Sequence, residues 1–422
     1  MPLKLRFNKN IFFLSAFFLT FLLFILPSCT KIKVYSDALT VEKNWTAPLH
    51  GTNEFFLLQP SPQLSDVNYD GYYDVVVGNA KGFVYCLDGR DGSLLWRFKA
   101  TDSISTTPTI DDVVGIGGKE ILAGSIDDTL YCLLGEKRKL IWSYLTKTDI
   151  LASPIVLQAS GEGNMNVIGT SGNELFSLSG KDGGLIWKIG FEYNLSSSPL
   201  VDDVNGDGVG EILIGSEDHN LYCIRGEDGK NLWSFKTGDQ VLSTPIATEF
   251  EPNGDRMIIF GSCDNYMYCL NGRTGKEVWK FKAEDNISSS AIAEDVSHEP
   301  GTEIIFTSWD KYVYCLRGSD GTLLWKFKTD AGIISAPVIA DLYGNGIQVL
   351  VTSNDKNLYC LDGEKGELLW KFTARAPFWT TPAVGDIEND GTAEIIASTI
   401  DDKVYCLSTR SKNFQRKEKH DR

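Results

Sequence analysis

The chain has 422 residues, 42% of them hydrophobic, and 40 glycines, enough apolar material for a large core and enough glycine for many tight turns. Its net charge is −16, from 40 basic and 56 acidic residues, and the acids are scattered rather than blocked. That balance excludes a phosphate-tracking nucleic-acid binder, which needs a basic footprint, and leaves a solvated acidic surface.

The first element is a targeting segment. Lys4, Arg6 and Lys9 precede an apolar run from Ile11 to Leu26. This run is shorter than the roughly 20 residues of a spanning helix and suits a signal-peptide core. It ends in Leu26-Pro27-Ser28-Cys29, which resembles a bacterial lipobox. The resemblance implies a signal peptide over residues 1–28, lipidation of Cys29, and a tether over residues 29–44. Thr30, where an Asp would retain the protein at the inner membrane, points to the outer membrane. An ordinary cleaved signal and an uncleaved anchor are the alternatives.

A repeat then occupies the rest of the chain. Tyr-Cys-Leu or a close variant recurs with its middle residue at Cys86, Cys132, Ser177, Cys223, Cys269, Cys315, Cys360 and Cys406, in steps of 45 or 46 residues. About ten residues after each of the first seven stands a tryptophan: Trp96, Trp142, Trp187, Trp233, Trp279, Trp325 and Trp370. Each unit reads as four short strands separated by Asp-Gly turns. The first carries a Ser/Thr-rich stretch ending near a proline (Thr107-Pro108, Ser198-Pro199, Thr381-Pro382), and the second is a β-branched run such as Glu211–Gly215. The third holds Tyr-Cys-Leu and the fourth the tryptophan. Four strands in about 45 residues is the period of a propeller blade, so the expected fold is all-β, an eight-bladed β-propeller with four-stranded blades over residues 45–407. The eighth unit lacks its own tryptophan strand, and Trp45 is left over upstream of the first. A strand around Trp45 is therefore expected to complete the last blade and close the ring. The remaining segment, 408–422, carries Arg410, Lys412, Arg416, Lys417, Lys419 and Arg422 without apolar periodicity and reads as a basic disordered tail.

The unit from Val84 to Lys99, with its paired glycines and tryptophan, resembles the pyrroloquinoline-quinone-type (PQQ-like) propeller repeat. The resemblance implies tryptophans packed between neighbouring blades. It covers quinoprotein alcohol dehydrogenases and also non-enzymatic lipoproteins of the BamB type, so it speaks to fold more than to chemistry. The family's dehydrogenases carry an adjacent Cys-Cys pair and long insertions over the cofactor. The sequence has no Cys-Cys pair and its repeats are compact, so PQQ is not expected.

The clearest site-like signal is acidic. Asp66, Asn68, Asp70, Tyr72 and Asp74 stand at alternating positions around Gly71. Asp203, Asn205, Asp207, Val209 and Glu211 repeat the pattern, as do Asp386, Glu388, Asp390, Thr392 and Glu394. A hard cation such as Ca²⁺ takes six to eight oxygens from a tightly turned loop, and this spacing supplies most of them. The pattern resembles the calcium loops of FG-GAP repeats, which implies a backbone-carbonyl ligand at Tyr72, Val209 and Thr392. The bland reading is that Asp and Asn are turn formers between strands. Weaker copies run from Asp112 to Glu120, Gln158 to Asn166, Glu249 to Met257, Asp295 to Glu303, and from Asp341.

The periodic cysteines read as small buried residues, with Cys263, six residues before Cys269, leaving a disulfide open. His50, His219, His298 and His420 fall at unrelated repeat positions and read as surface histidines. Trp309 and Trp379, beside Phe378, break the repeat template and are either binding aromatics or core filling. The expected function is a non-enzymatic envelope lipoprotein, secreted across the inner membrane, that binds protein partners and serves outer-membrane protein assembly. The alternatives are a PQQ-dependent dehydrogenase and a calcium-stabilised adhesion or carbohydrate-binding module.

Overall fold

The computed structural model describes residues 41–49, 60–115, 117–158, 165–250, 254–297, 301–344 and 346–409. The segment expected to serve targeting, with Cys29, most of the basic tail, and His50, His298 and His420 lie outside them. The described residues form thirty-two strands in eight four-stranded antiparallel sheets and no helix. Each sheet is one blade of a ring. Blade 1 comprises strands Gln63–Ser65, Asp74–Gly78, Phe83–Asp88 and Leu94–Lys99, from the centre outward. Blades 2 to 7 follow in chain order from Thr109, Ile155, Leu200, Ile246, Ile292 and Val338.

Blade 8 is composite. Its inner three strands are Ala383–Gly385, Glu394–Thr399 and Lys403–Ser408, and its outer strand is Glu42–Pro48. Trp45 lies opposite Cys406, the same pairing that sets Cys86 opposite Trp96 and Cys360 opposite Trp370. The expected clasp is therefore present, and it leaves no blade short of a strand.

The second and third strands are almost wholly buried, because each blade packs a neighbour on both faces. Every periodic cysteine is at most 1% exposed. Burial pushes these thiols above their ordinary range, so they act as small apolar residues. Cys263 and Cys269 are both free, so the disulfide left open by their spacing does not form.

Tryptophan joins blade to blade. Trp279 of blade 5 donates its Nε1–H to Gly318 O of blade 6 at 2.7 Å, and Trp45 does the same to Gly89 O of blade 1 at 2.7 Å. The next-but-two glycine of the receiving turn lies flat on the indole. At Gly321, φ is +70° and a Cβ would stand 2.8 Å from Trp279, so both conformation and space require glycine.

The Ser/Thr-Pro stretch departs from its expected role. The innermost strand starts after the proline, as in Thr109–Asp111, Leu200–Asp202 and Val338–Ala340. Proline has no N–H for a ladder, and the hydroxyls before it replace the ladder bonds. Two residues before the proline, Thr106, Ser197 and Ser243 accept from Gly124, Gly215 and Gly261 N–H of their own blades at 2.8 Å. One residue before it, Thr107, Ser198 and Thr381 accept N–H bonds from the preceding blade at 3.0 to 3.1 Å. Thr381 N donates in turn to Ser61 Oγ at 3.1 Å, which closes the inner circle between blades 8 and 1.

Candidate functional site

The ring has two rims. One, called lower here, carries the loops between first and second strands and the turns between third and fourth. The upper rim carries the turns between second and third strands and the segments linking blades.

All three predicted acidic loops lie on the lower rim, in blades 1, 4 and 8, and share one local geometry. The first carboxylate closes the turn: Asp66 accepts from Asp70 and Gly71 N–H at 3.1 and 3.0 Å. Asp203 accepts from Gly206, Asp207 and Gly208, and Asp386 from Asp390 and Gly391. Asn68 accepts from Asp70 N–H at 2.9 Å, and Asn205 donates to Glu211 at 2.8 Å. Asp70, Asp207 and Asp390 accept from Tyr72, Val209 and Thr392 N–H at 2.9 to 3.0 Å. Glu388, in the blade 8 loop, is among the residues that hold a partner contact.

The ninth-position acids sit deeper. Asp74, Glu211 and Glu394 are at most 2% exposed and accept from Val67, Val204 and Ile387 N–H at 3.0 to 3.1 Å. Burial, with neighbouring carboxylates adding to it, pushes each of them up to about 7. The apolar residue held this way plugs the next seam: Val67 meets the position of Gly135 in blade 2, and Ile387 that of Gly89 in blade 1. Glu120, Glu303 and Gln348 hold Val114, Val296 and Leu342 in the same manner in blades 2, 6 and 7. The loops thus space the blades. Among the described residues no group of three or more His, Cys, Asp or Glu converges as a metal centre. Of the carboxylates that head the loops, Asp66, Asp203 and Asp386 have both oxygens engaged with backbone N–H. In blade 1, Arg90 also pairs with Asp70 at 3.0 Å.

The upper rim is different in character. Trp309 lies just past the strand Glu303–Thr307, is 44% exposed, and donates Nε1–H to Ser288 Oγ at 2.9 Å. Trp379 is half-buried in the segment entering blade 8, while Phe378 beside it is core. Leu151 and Tyr193, in the segments entering blades 3 and 4, are 51% and 50% exposed, and Leu145 ends the outer strand of blade 2 at 73%. The stray aromatics of the sequence therefore share a rim with exposed aliphatics, opposite the acidic loops.

A family model described as outer membrane protein assembly factor BamB matches residues 42–207 and 263–343, more than half of the chain. The chain belongs to that family. A second model, the λ-carrageenase β-propeller domain, matches residues 180–274. No curated protein matches by sequence. Among solved structures, BamB from Moraxella catarrhalis is 17% identical, covering 84% of this chain and all of its own at a TM-score of 0.62. The computationally designed Ika8 protein is 15% identical, covering 87% and 99% at 0.65. The V. cholerae biofilm matrix protein Bap1 is 14% identical, covering 89% and 92% at 0.71. At such identities the three attest the fold.

One upper-rim signal of this BamB-family ring escaped the sequence reading, although it is written in most repeats. Ser-x-Asp-x-x-x-Tyr occurs at Ser262-Asp264-Tyr268, Ser308-Asp310-Tyr314 and Ser353-Asp355-Tyr359. The aspartate accepts the tyrosine O–H at 2.7 Å in each. It also accepts an N–H from the segment leaving the preceding blade, Gly238, Glu284 or Asp330, at 2.7 to 3.0 Å. His219 occupies the left-handed position of the corresponding turn in blade 4, φ 72°, and passes its carbonyl to Thr237. It serves the turn.

Proposed function

We propose that this protein is a non-enzymatic scaffold of the cell envelope that binds protein partners during outer-membrane protein assembly. The observation that carries the reading is the BamB-family match, which begins at the clasp strand, breaks off in blade 4 and resumes from blade 5 to the first strand of blade 7. The upper rim supports it. Leu145, Leu151, Tyr193 and Trp309 present apolar surface on a rigid frame, and aromatic anchors in such settings dominate protein–protein binding. Secretion across the inner membrane and lipidation of Cys29 would hold this rim at the outer membrane. Calcium belongs to the proposal only at the lower rim, where Asp66, Asp203 and Asp386 would head the binding loops as a stabilising element remote from the partner surface.

The test is affinity purification of the full chain from detergent-solubilised envelopes, with outer-membrane β-barrel assembly components quantified. Wild type is expected to recover them, and Trp309→Ala with Leu151→Asp to lose at least tenfold while melting as wild type does. Equal recovery by wild type and the double variant would remove the upper rim from the reading. Recovery of none of those components by wild type would overturn the function.

A further inference from the structure

The outer wall of this acidic ring holds a row of lysines, most of which form no ion pair among the described residues. In blade 6, Lys326 and Lys328 of the outer strand both lie over the ring of Tyr312, at 4.4 and 5.3 Å from its centroid. In blade 5, Lys280 and Lys282 lie over Tyr266 at 5.5 and 5.7 Å. Lys371 continues the row in blade 7, over Tyr359 at 5.8 Å. The cause is register: Tyr266 and Tyr268 stand opposite Lys282 and Lys280, and Tyr312 and Tyr314 opposite Lys328 and Lys326. Side chains alternate along a strand, so Lys-x-Lys after each tryptophan puts both amines on the face that carries the two tyrosines.

Each such face looks into a seam. Tyr314 packs on Phe281 of blade 5 at 5.5 Å, and Tyr268 on Phe235 of blade 4 at 5.4 Å. Tyr312 and Tyr266 lie farther out, half-buried under the exposed lysines. Lys280 reaches Glu277 at 3.3 Å, while Lys282, Lys326 and Lys328 form no ion pair among the described residues. Two ammonium groups held over one ring repel each other, and a cation on an exposed aromatic face is weakly held. An anion placed between them relieves both.

The geometry points to these two consecutive seams as a binding surface for a linear anionic polysaccharide, one sulfate or carboxylate per lysine pair. The small number of amines per seam selects that chemistry. The lysine pairs are isolated, one to a seam, and lie below the rim aspartates Asp264 and Asp310, which hold Tyr268 and Tyr314. A duplex nucleic acid, with a charge every ~1.7 Å, would bring most of its phosphates against a molecule of net charge −16. A polymer charged once per sugar or two meets the amines and leaves uncharged rings against the tyrosines.

Chondroitin sulfate and its desulfated form, titrated into the full chain by calorimetry, test the surface. Binding of the sulfated chain that weakens with salt is expected. It should fall at least tenfold in Lys326→Ala/Lys328→Ala and stay unchanged in the lower-rim control Lys276→Ala/Lys365→Ala, all with wild-type melting temperature. Equal binding by the Lys326/Lys328 variant overturns the inference. So does absence of binding, or tighter binding of duplex DNA or of anionic phospholipid vesicles. The envelope function, read from recovery of assembly components, stands or falls separately.

Discussion

At the scale of single residues, two departures from the repeat mark places where the ring is under-optimised. Seven blades set a cysteine against the tryptophan; blade 3 sets Ser177, whose fully buried hydroxyl has no hydrogen-bond partner. An unsatisfied buried hydroxyl costs about 1–3 kcal/mol. Ser177→Cys is expected to raise stability by about 1 kcal/mol, read as an upward shift of the urea midpoint. The second departure is at the seam of blades 1 and 2. Where six turns carry a left-handed glycine under the indole, blade 2 carries Arg138 at φ 48°. At the equivalent glycines a Cβ would meet the indole within about 3 Å, and here Trp96 Nε1 is buried without an acceptor. Arg138→Gly removes the backbone strain and frees the indole to approach Gly135, so it is expected to stabilise by about 1–2 kcal/mol. Ser177 stood out among the periodic cysteines, and Arg138 did not. The cost of either was not legible, because it depends on burial and, for Arg138, on an indole one blade away.

At the scale of elements, the strand Glu42–Pro48 does more than fill a sheet. It supplies the outer strand of blade 8, and its Trp45, 8% exposed, docks on blade 1. Trp45→Ala therefore loses packing in blade 8 and the hydrogen bond across the closing seam. A loss of about 3–5 kcal/mol is expected for so large a truncation, with a matching fall in melting temperature. The clasp was legible because the missing eighth tryptophan and the surplus first one are both countable. The acidic loops were legible as motifs, and their part in spacing the blades was not. Spacing alone places oxygens at alternate positions, but where the oxygens point is decided by the backbone N–H groups of the turn and by the seam beneath, as Val67 and Ile387 show.

At the scale of the whole molecule, the buried acids link stability to pH. Asp74, Glu211 and Glu394 are pushed up to about 7, and Asp402 to about 6, chiefly by burial. Each folded value exceeds the unfolded one, near 4, so between those limits the folded state binds more protons. Stability from these groups is full below about pH 4 and is lost as pH rises through 7. The ion-paired carboxylates Asp88 and Glu174 are shifted downward, chiefly by their Arg90 and Lys147 partners, and so act in the opposite sense. In chelator, the melting temperature should therefore be higher at pH 5.5 than at pH 7.5. If the lower-rim loops take Ca²⁺, adding it at pH 7.5 raises the melting temperature; an unchanged melt would assign the loops to spacing alone.

By itself the sequence determined the period, the count of eight, the strand order within a blade and the clasp. Those follow from hydrophobic alternation and turn residues, which act over a few neighbours along the chain and repeat every 45 or 46 residues. Only the tertiary structure decided that Trp309, Leu151 and Tyr193 share one rim and the acidic loops the other, and that lysine pairs face the seams. The reason is the ring. A blade's faces are completed by residues a full repeat away, so each surface of this protein is made by neighbours in space that are strangers in sequence.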